Sequence, residues 1–215
     1  MSGKPRIPCS AAAQPAPSAH KRTSAESVNP ALDPPLDKSA LRRELLSARA
    51  AIGTAQKTAW DAAIGARVLA WWDEQAAAGR GTLGVYWPLR GEPDLAATYA
   101  ALAARGVRLA LPVVIERDAA LAFAAWTPGE ALLRDAMGVA VPAERRLVAR
   151  PEALLIPCLG YNGERFRLGY GGGYYDRTLA ALPRPATAGV AYRCLQADFA
   201  SAPHDIALDR VLTEV

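Results

Sequence analysis

Residues 153–177 read Ala-Leu-Leu-Ile-Pro-Cys-Leu-Gly-Tyr-Asn-Gly-Glu-Arg-Phe-Arg-Leu-Gly-Tyr-Gly-Gly-Gly-Tyr-Tyr-Asp-Arg. Ala153–Pro157 is apolar with no polar alternation, as in a strand buried on both faces. A glycine-rich loop follows and opens a helix predicted over roughly 174–182. A buried strand, a glycine loop and a helix in that order mark an α/β unit. Outward from it, strands are predicted at 82–87, 107–111, 121–126, 187–192 and 210–214. A helix is predicted from Asp37, with Leu41, Leu45, Ala48 and Ile52 on one face. A second, capped by Thr54, carries the stripe Trp60, Ile64, Val68, Trp71 and ends at Gly79-Arg80-Gly81. A third, capped by Asp94, runs through Ala104 and stops at Gly106. Pro128-Gly129 reads as a turn. Strands alternating with helices predict an α/β three-layer sandwich around a mostly parallel, Rossmann-like sheet, forming one domain over residues 36–215.

The first 35 residues differ. They hold seven of the 17 prolines and no Phe, Trp or Tyr, and Pro, Ala and Ser make 19 of the 35. Such a segment buries too little apolar surface to offset chain entropy, so a disordered tail is expected. It lacks the apolar core of a secretory signal, and its prolines argue against the amphipathic helix of a transit peptide. The whole chain has 215 residues, 51% hydrophobic and 21% charged, ordinary for a globular protein. Charges interrupt every long apolar run, so no membrane span is expected. Cys9, Cys158 and Cys194 form neither a disulfide framework nor a metal knuckle, which points to a reducing cytoplasm. Cys158 and Cys194 read as small buried hydrophobes. The net charge of +4 suits an anionic ligand without indicating nucleic acid.

Residues 160–173 carry six of the 17 glycines. Glycines admit positive φ and let backbone N–H groups approach a phosphate, and the next helix start adds partial positive charge. Arg167 and Arg177 can clamp phosphate oxygens, while Asp176 can cap its helix or hold a divalent cation. Four of the seven tyrosines lie at 161–175, suiting a pocket for a flat ligand. The loop fits neither GxxxxGK[ST] nor GxGxxG, and a plain strand-to-helix turn is the alternative.

The run Arg167–Arg177 after Ile156-Pro157 resembles the hallmark of the 5-formyltetrahydrofolate cyclo-ligase family, R-L-G-x-G-x-G-[YF]-Y-D-R. The resemblance extends to K-x-x-x-R at Lys38 and Arg42, Y-x-P-x-x-x-E near Tyr86-Trp87-Pro88 and Glu92, Leu111-Pro112, and Trp126. It continues through Gly189–Tyr192, Gln196, His204-Asp205, Asp209-Arg210-Val211 and Thr213-Glu214, in order from about residue 36 to the end. Two departures stand out. Tyr170 and Gly172 occupy places where some members have basic residues, leaving more of the phosphate contact to Arg167 and Lys38. Asn162 stands where an aspartate is common.

The resemblance implies ATP- and magnesium-dependent closure of 5-formyltetrahydrofolate to 5,10-methenyltetrahydrofolate, with release of ADP and phosphate. It implies ATP contacts at Lys38, Arg42, Arg167, Leu168, Gly169, Tyr170, Gly171, Gly172, Gly173, Tyr174 and Tyr175. Folate contacts are implied at Trp87, Glu92, Trp126, Tyr170, Gly171, Gly172, Gly173 and Tyr174. Arg167 is the implied catalytic residue, and Asp176 and Asp205 the implied magnesium ligands. The expected working unit is a cytoplasmic monomer that meets small molecules, neither nucleic acid nor membrane. By periodicity alone Lys38, Arg42 and Arg49 form a solvated basic stripe, and Arg49 is expected to stay at the surface. His204 is expected to shape its turn. Two other readings remain. One is a basic RNA-binding module, which requires exposed aromatics within a basic patch. The other is an ATP-independent isomerase or acyl-transfer enzyme on a similar scaffold, with Glu92 its candidate acid–base group.

Overall fold

The computed structural model describes residues 37–135 and 138–215. The expected tail, residues 1–35, lies outside the described residues. Helix α1 spans Lys38–Ala50, and the Asp37 carboxylate accepts the Ser39 N–H at its start, 2.9 Å. Helix α2 spans Thr54–Ala77 and α3 spans Ala96–Ala104. Thr54 is the first residue of α2 rather than its cap, a place taken by Gly53. The Asp94 carboxylate accepts the Ala96 N–H near the start of α3.

The strands are β1 (Thr82–Gly84), β2 (Arg108–Val113), β3 (Ala122–Trp126), β4 (Leu132–Arg134), β5 (Ala140–Pro142), β6 (Leu147–Val148), β7 (Ala153–Pro157), β8 (Gly160–Tyr161), β9 (Arg167–Leu168), β10 (Ala186–Val190) and β11 (Arg210–Leu212). Helix α4, Tyr174–Ala180, lies between β9 and β10. Seven strands form one sheet in the order β11-β10-β7-β1-β2-β3-β6. The pairings from β11 to β2 are parallel, while β2–β3 and β3–β6 are antiparallel. Two hairpins, β4–β5 and β8–β9, stand apart from it.

Side-chain parity divides the core into the expected layers, because successive residues of a strand face opposite sides. Leu83, Leu109, Leu111 and Leu155 meet Leu41, Leu45, Ile64, Val68, Trp71 and Leu102 on the face covered by α1–α3. Their neighbours Ala110, Leu154 and Ile156 meet Phe123, Leu179 of α4 and Leu208 on the other. Each fully buried Leu or Ile contributes about 1.5–3 kcal/mol. Along α1 the inward face is Leu41, Leu45 and Arg49, whereas Ala48 is exposed and Ile52 lies beyond the helix. Cys158 is buried, but Cys194 is exposed, contrary to expectation. Among the described residues no helix is long and apolar enough to cross a membrane.

Gly65 of α2 lies against α3, where an added Cβ would stand 2.3 Å from Thr98 Oγ1. Gly65→Ala is expected to destabilise the fold by about 1–3 kcal/mol in a denaturant titration. Adding Thr98→Ala to that variant should restore part of the loss. If the second change deepened it, the close approach would not be the cause.

Candidate functional site

The chain leaves β1 and β7, neighbours in the centre of the sheet, in diverging directions. From β1 it goes by α3 to β2 on one side; from β7 it goes by α4 to β10 on the other. Open α/β sheets place their crevice at the carboxyl ends of such strands. Here a cleft of about 870 Å³ opens there, lined by Tyr86 and Trp87 after β1, Pro112 and Val114 at the end of β2, and Pro157 ending β7. The β4–β5 hairpin adds Arg134 and Val139 to the wall.

The cleft gathers the residues singled out in the sequence from four segments. Lys38 and Arg42 come from α1, Trp87 and Glu92 from the loop after β1, the run 167–176 from β9 to α4, and Asp205 from the loop before β11. Arg177 does not line it, and neither does Trp126. Trp126 is 6% exposed and stands in the core behind Trp87, ring centroids 5.9 Å apart and nearly perpendicular. Its β3 position faces the α1–α3 side with its partner Leu109.

The approach to the glycine loop differs from a simple strand-to-helix turn. The hairpin β8–β9 intervenes, and Asn162 forms its turn. The Asn162 Oδ1 accepts the N–H groups of Glu164 and Phe166, while its Nδ2 donates to the Phe199 carbonyl. That last bond needs an amide, which an aspartate at this position would not supply. Gly171 and Gly173, with φ +99° and +64°, turn the chain into α4 through conformations that side-chain-bearing residues rarely adopt. Arg42 Nε donates to the Gly169 carbonyl at 2.8 Å, and Arg177 Nη1 to the Gly172 carbonyl at 2.8 Å. Arg177 is thus a brace of the loop on its exposed side and does not line the cleft. Helix α4, at seven residues, is shorter than expected.

Two ion pairs line the cleft. Arg167 Nη2 bonds Asp176 Oδ2 at 2.7 Å, with both side chains largely buried. The Arg167 guanidinium also lies 5.2 Å from the Tyr175 ring centroid, and its Nε is buried without a partner. Lys38 Nζ bonds Asp205 Oδ2 at 2.9 Å, and the same oxygen accepts the Ala202 N–H. Burial opposes the charge on Asp205, but the Ala202 amide and Lys38 together hold its carboxyl below the ordinary value. The His204 side chain is exposed, 3.8 Å from Asp205.

Glu92, in the loop after β1, is 2% exposed. Its Oε2 accepts the Leu89 N–H and its Oε1 accepts the Tyr170 hydroxyl, both at 2.8 Å. That hydroxyl in turn accepts a bond from Arg49 Nη2 at 2.5 Å, and Arg49 Nε donates to the Arg90 carbonyl. Arg49, expected at the surface, is only 3% exposed. It sits one turn beyond Leu45 on the inward face, so the 41–45–49 spacing placed it there and only its charge argued otherwise. Burial pushes the Glu92 carboxyl up, against the downward pull of the Leu89 amide, Tyr170 and Arg49. Glu92 therefore acts as an anchored acceptor, with both oxygens engaged.

Among the described residues no group of three or more His, Cys, Asp or Glu side chains could hold a metal ion. Four carboxylates line the cleft, Glu92, Asp135, Asp176 and Asp205, and of these Asp176 and Asp205 face the cations Arg167 and Lys38. That pair fits a magnesium ion carried on nucleotide phosphates, which needs only one or two protein carboxylates.

The profile of the 5-formyltetrahydrofolate cyclo-ligase family matches residues 35–214. A 5-formyltetrahydrofolate cyclo-ligase of Mycoplasma pneumoniae is 28% identical over 181 residues, covering 83% of this chain and 99% of that protein. One from Mycolicibacterium smegmatis is 32% identical over 191 residues, covering 83% of this chain and 94% of that protein. The solved structure of a 5,10-methenyltetrahydrofolate synthetase from M. pneumoniae superposes with a TM-score of 0.70 at 28% identity, over 84% of this chain and all of that one. The synthetase of Aquifex aeolicus shares the fold, with a TM-score of 0.70 over 82% of this chain and 89% of that one, at 24% identity. The chain belongs to the 5-formyltetrahydrofolate cyclo-ligase family.

Proposed function

We propose that this cleft binds ATP and 5-formyltetrahydrofolate side by side and joins N5 and N10 of the folate through the formyl carbon. The observation that carries the reading is the convergence of Lys38, Arg42, Arg167 and the loop 169–173 with Trp87 and Glu92 on one cleft.

The chemistry explains the need for ATP. The N5-formyl group is an amide with a weakly electrophilic carbon and no good leaving group. Transfer of the γ-phosphoryl group to the formyl oxygen releases ADP and leaves N5 sharing an iminium-like positive charge. N10 then attacks the formyl carbon, the C–O bond breaks with loss of phosphate, and N10 gives up its proton. The methenyl bridge and inorganic phosphate remain. No protein nucleophile is required, and catalysis is positioning together with stabilisation of phosphoryl charge.

In this reading the amides of residues 169–173 and the side chains of Lys38 and Arg42 hold the phosphates. Arg167, kept in place by Asp176 and Tyr175, neutralises charge growing on the transferred group. Leu168 and Tyr174 support the loop from below. Asp176 and Asp205 are the side chains that would hold magnesium, which supplies charge neutralisation on the phosphates. Trp87 offers a flat face for the pterin, and Glu92 accepts its N–H groups. Trp126 acts on the folate only through Trp87, as a wall behind it. A monomer is the proposed working unit. Cys158 and Cys194 are free thiols, the usual state in the reducing cytoplasm where we place the reaction.

Purified protein mixed with 5-formyltetrahydrofolate and Mg-ATP is expected to develop the absorbance of the methenyl product, and to stop when ATP is left out. Absence of the chromophore, or its appearance without ATP, would remove this reading. Arg167→Ala is expected to lower kcat by about 100- to 1000-fold with the circular dichroism spectrum unchanged; wild-type turnover in this variant would make Arg167 purely structural.

A further inference from the structure

Tyr170 occupies the position in the glycine loop where some members of the family carry a basic residue, yet its polar end turns away from the loop. The residue is 41% exposed, and its hydroxyl donates to Glu92 Oε1 at 2.8 Å while accepting Arg49 Nη2 at 2.5 Å. The three side chains come from separate parts of the chain: α1, the loop after β1 and the loop before α4. The guanidinium groups of Arg49 and Arg90 lie 5.8 and 5.4 Å from the Tyr170 ring centroid, which holds the ring between them. Arg90 is held at φ +49°, in the left-handed region, with its carbonyl accepting Arg49 Nε.

The geometry points to Tyr170 as a positioning residue for the folate side of the cleft: its hydroxyl, fixed by Arg49, aims and polarises the Glu92 carboxylate that receives the pterin N–H donors. This rests on the assignment of Glu92 to the folate wall made above, and it separates Tyr170 from the nucleotide contacts of its neighbouring glycines. The direction of the bonds follows from the chemistry. Burial and the nearby Glu92 push the Tyr170 phenol up to about 12, so the phenol keeps its proton and must be the donor to Glu92. Arg49, with no acceptor lone pair, can only donate to the tyrosine oxygen. Positive charge at Arg49 is thereby relayed through one hydroxyl onto a carboxylate it does not touch.

The consequence is a pH dependence. Burial holds the Glu92 carboxyl above its ordinary value, while the Leu89 amide, Tyr170, Arg49 and Arg90 pull the other way. The other ionisable groups that sense its charge, Tyr86, Tyr99, Tyr175 and Cys158, are themselves displaced upward by burial and remain neutral. An ionised Glu92 accepts two pterin donors; a protonated one offers a competing O–H. Folate affinity should therefore fall as pH drops through the Glu92 value, and loss of the Tyr170 hydroxyl should move that fall to higher pH.

The test compares wild type with Tyr170→Phe, which keeps the ring and its cation contacts. In the free protein, the Glu92 carboxyl resonance, identified by its absence in Glu92→Gln, is titrated by carbon-13 NMR. Its midpoint is expected to rise by about one pH unit on losing a hydrogen bond to the ionised form. In turnover, the KM for 5-formyltetrahydrofolate at pH below the Glu92 midpoint should rise about tenfold, with the KM for ATP unchanged and the acid limb of kcat/KM displaced in step with the titration. Arg49→Lys, which keeps charge but loses the Nη2 donor, should move both readings in the same direction by less. An unmoved Glu92 midpoint, or a loss confined to the ATP KM, overturns the proposal and makes Tyr170 a nucleotide contact. Wild-type protein without ATP-dependent turnover would count against the cyclo-ligase reading, whereas the free-protein titration decides the Tyr170–Glu92 coupling independently.

Discussion

The parting of the chain between β1 and β7 is the constraint on which the site depends. Parallel neighbours whose following helices pack on opposite faces must send their connecting loops apart, and the space between those loops has no backbone to fill it. In this protein the loop after β1 brings an aromatic wall and a buried carboxylate to one side. The loop after β7 brings glycines and cations to the other. The same division appears in the core, where Leu83 and Leu155 pack under α1–α3 and Leu154 and Ile156 pack under α4. A cleft with two chemically different walls is thus a result of sheet order before it is a result of particular side chains.

Those walls are not independent. Helix α1 reaches both: Lys38 meets Asp205, Arg42 holds the Gly169 carbonyl, and Arg49 reaches the Tyr170 hydroxyl. One helix, with one cation roughly per turn, thereby links the C-terminal loop, the glycine loop and the loop after β1. Its apolar residues Leu41 and Leu45 fix it to the core, so the basic side chains project from a rigid support instead of a mobile arm.

Much of this was legible in the residues. The central strands and the first three helices follow from periodicity and punctuation, because β1, β2, β7 and β10 are short apolar runs bounded by Gly or Pro. The direction of β3 was not, since alternation carries no information about parallel or antiparallel pairing. The short link from Val113 to Ala122 could have revealed it, being too short for a crossover helix. The hairpins β4–β5 and β8–β9 escaped because strands of two or three residues produce no period to detect. Arg49 was missed since charge normally argues for exposure, and only a partner far along the chain makes its burial tolerable. Trp126 shares its residue type with pocket-forming aromatics, and strand parity alone turns it into the core. The ordered family pattern found the remaining cleft residues, which no local rule would have brought together from four separate segments.

The paired state of the cations has an electrostatic corollary. With Arg167 facing Asp176 and Lys38 facing Asp205, the mouth of the cleft exerts a weaker far-reaching pull on passing polyanions than its basic residues suggest. In the proposed reading, discrimination arises at contact, when an incoming phosphate replaces a carboxylate without leaving either cation bare.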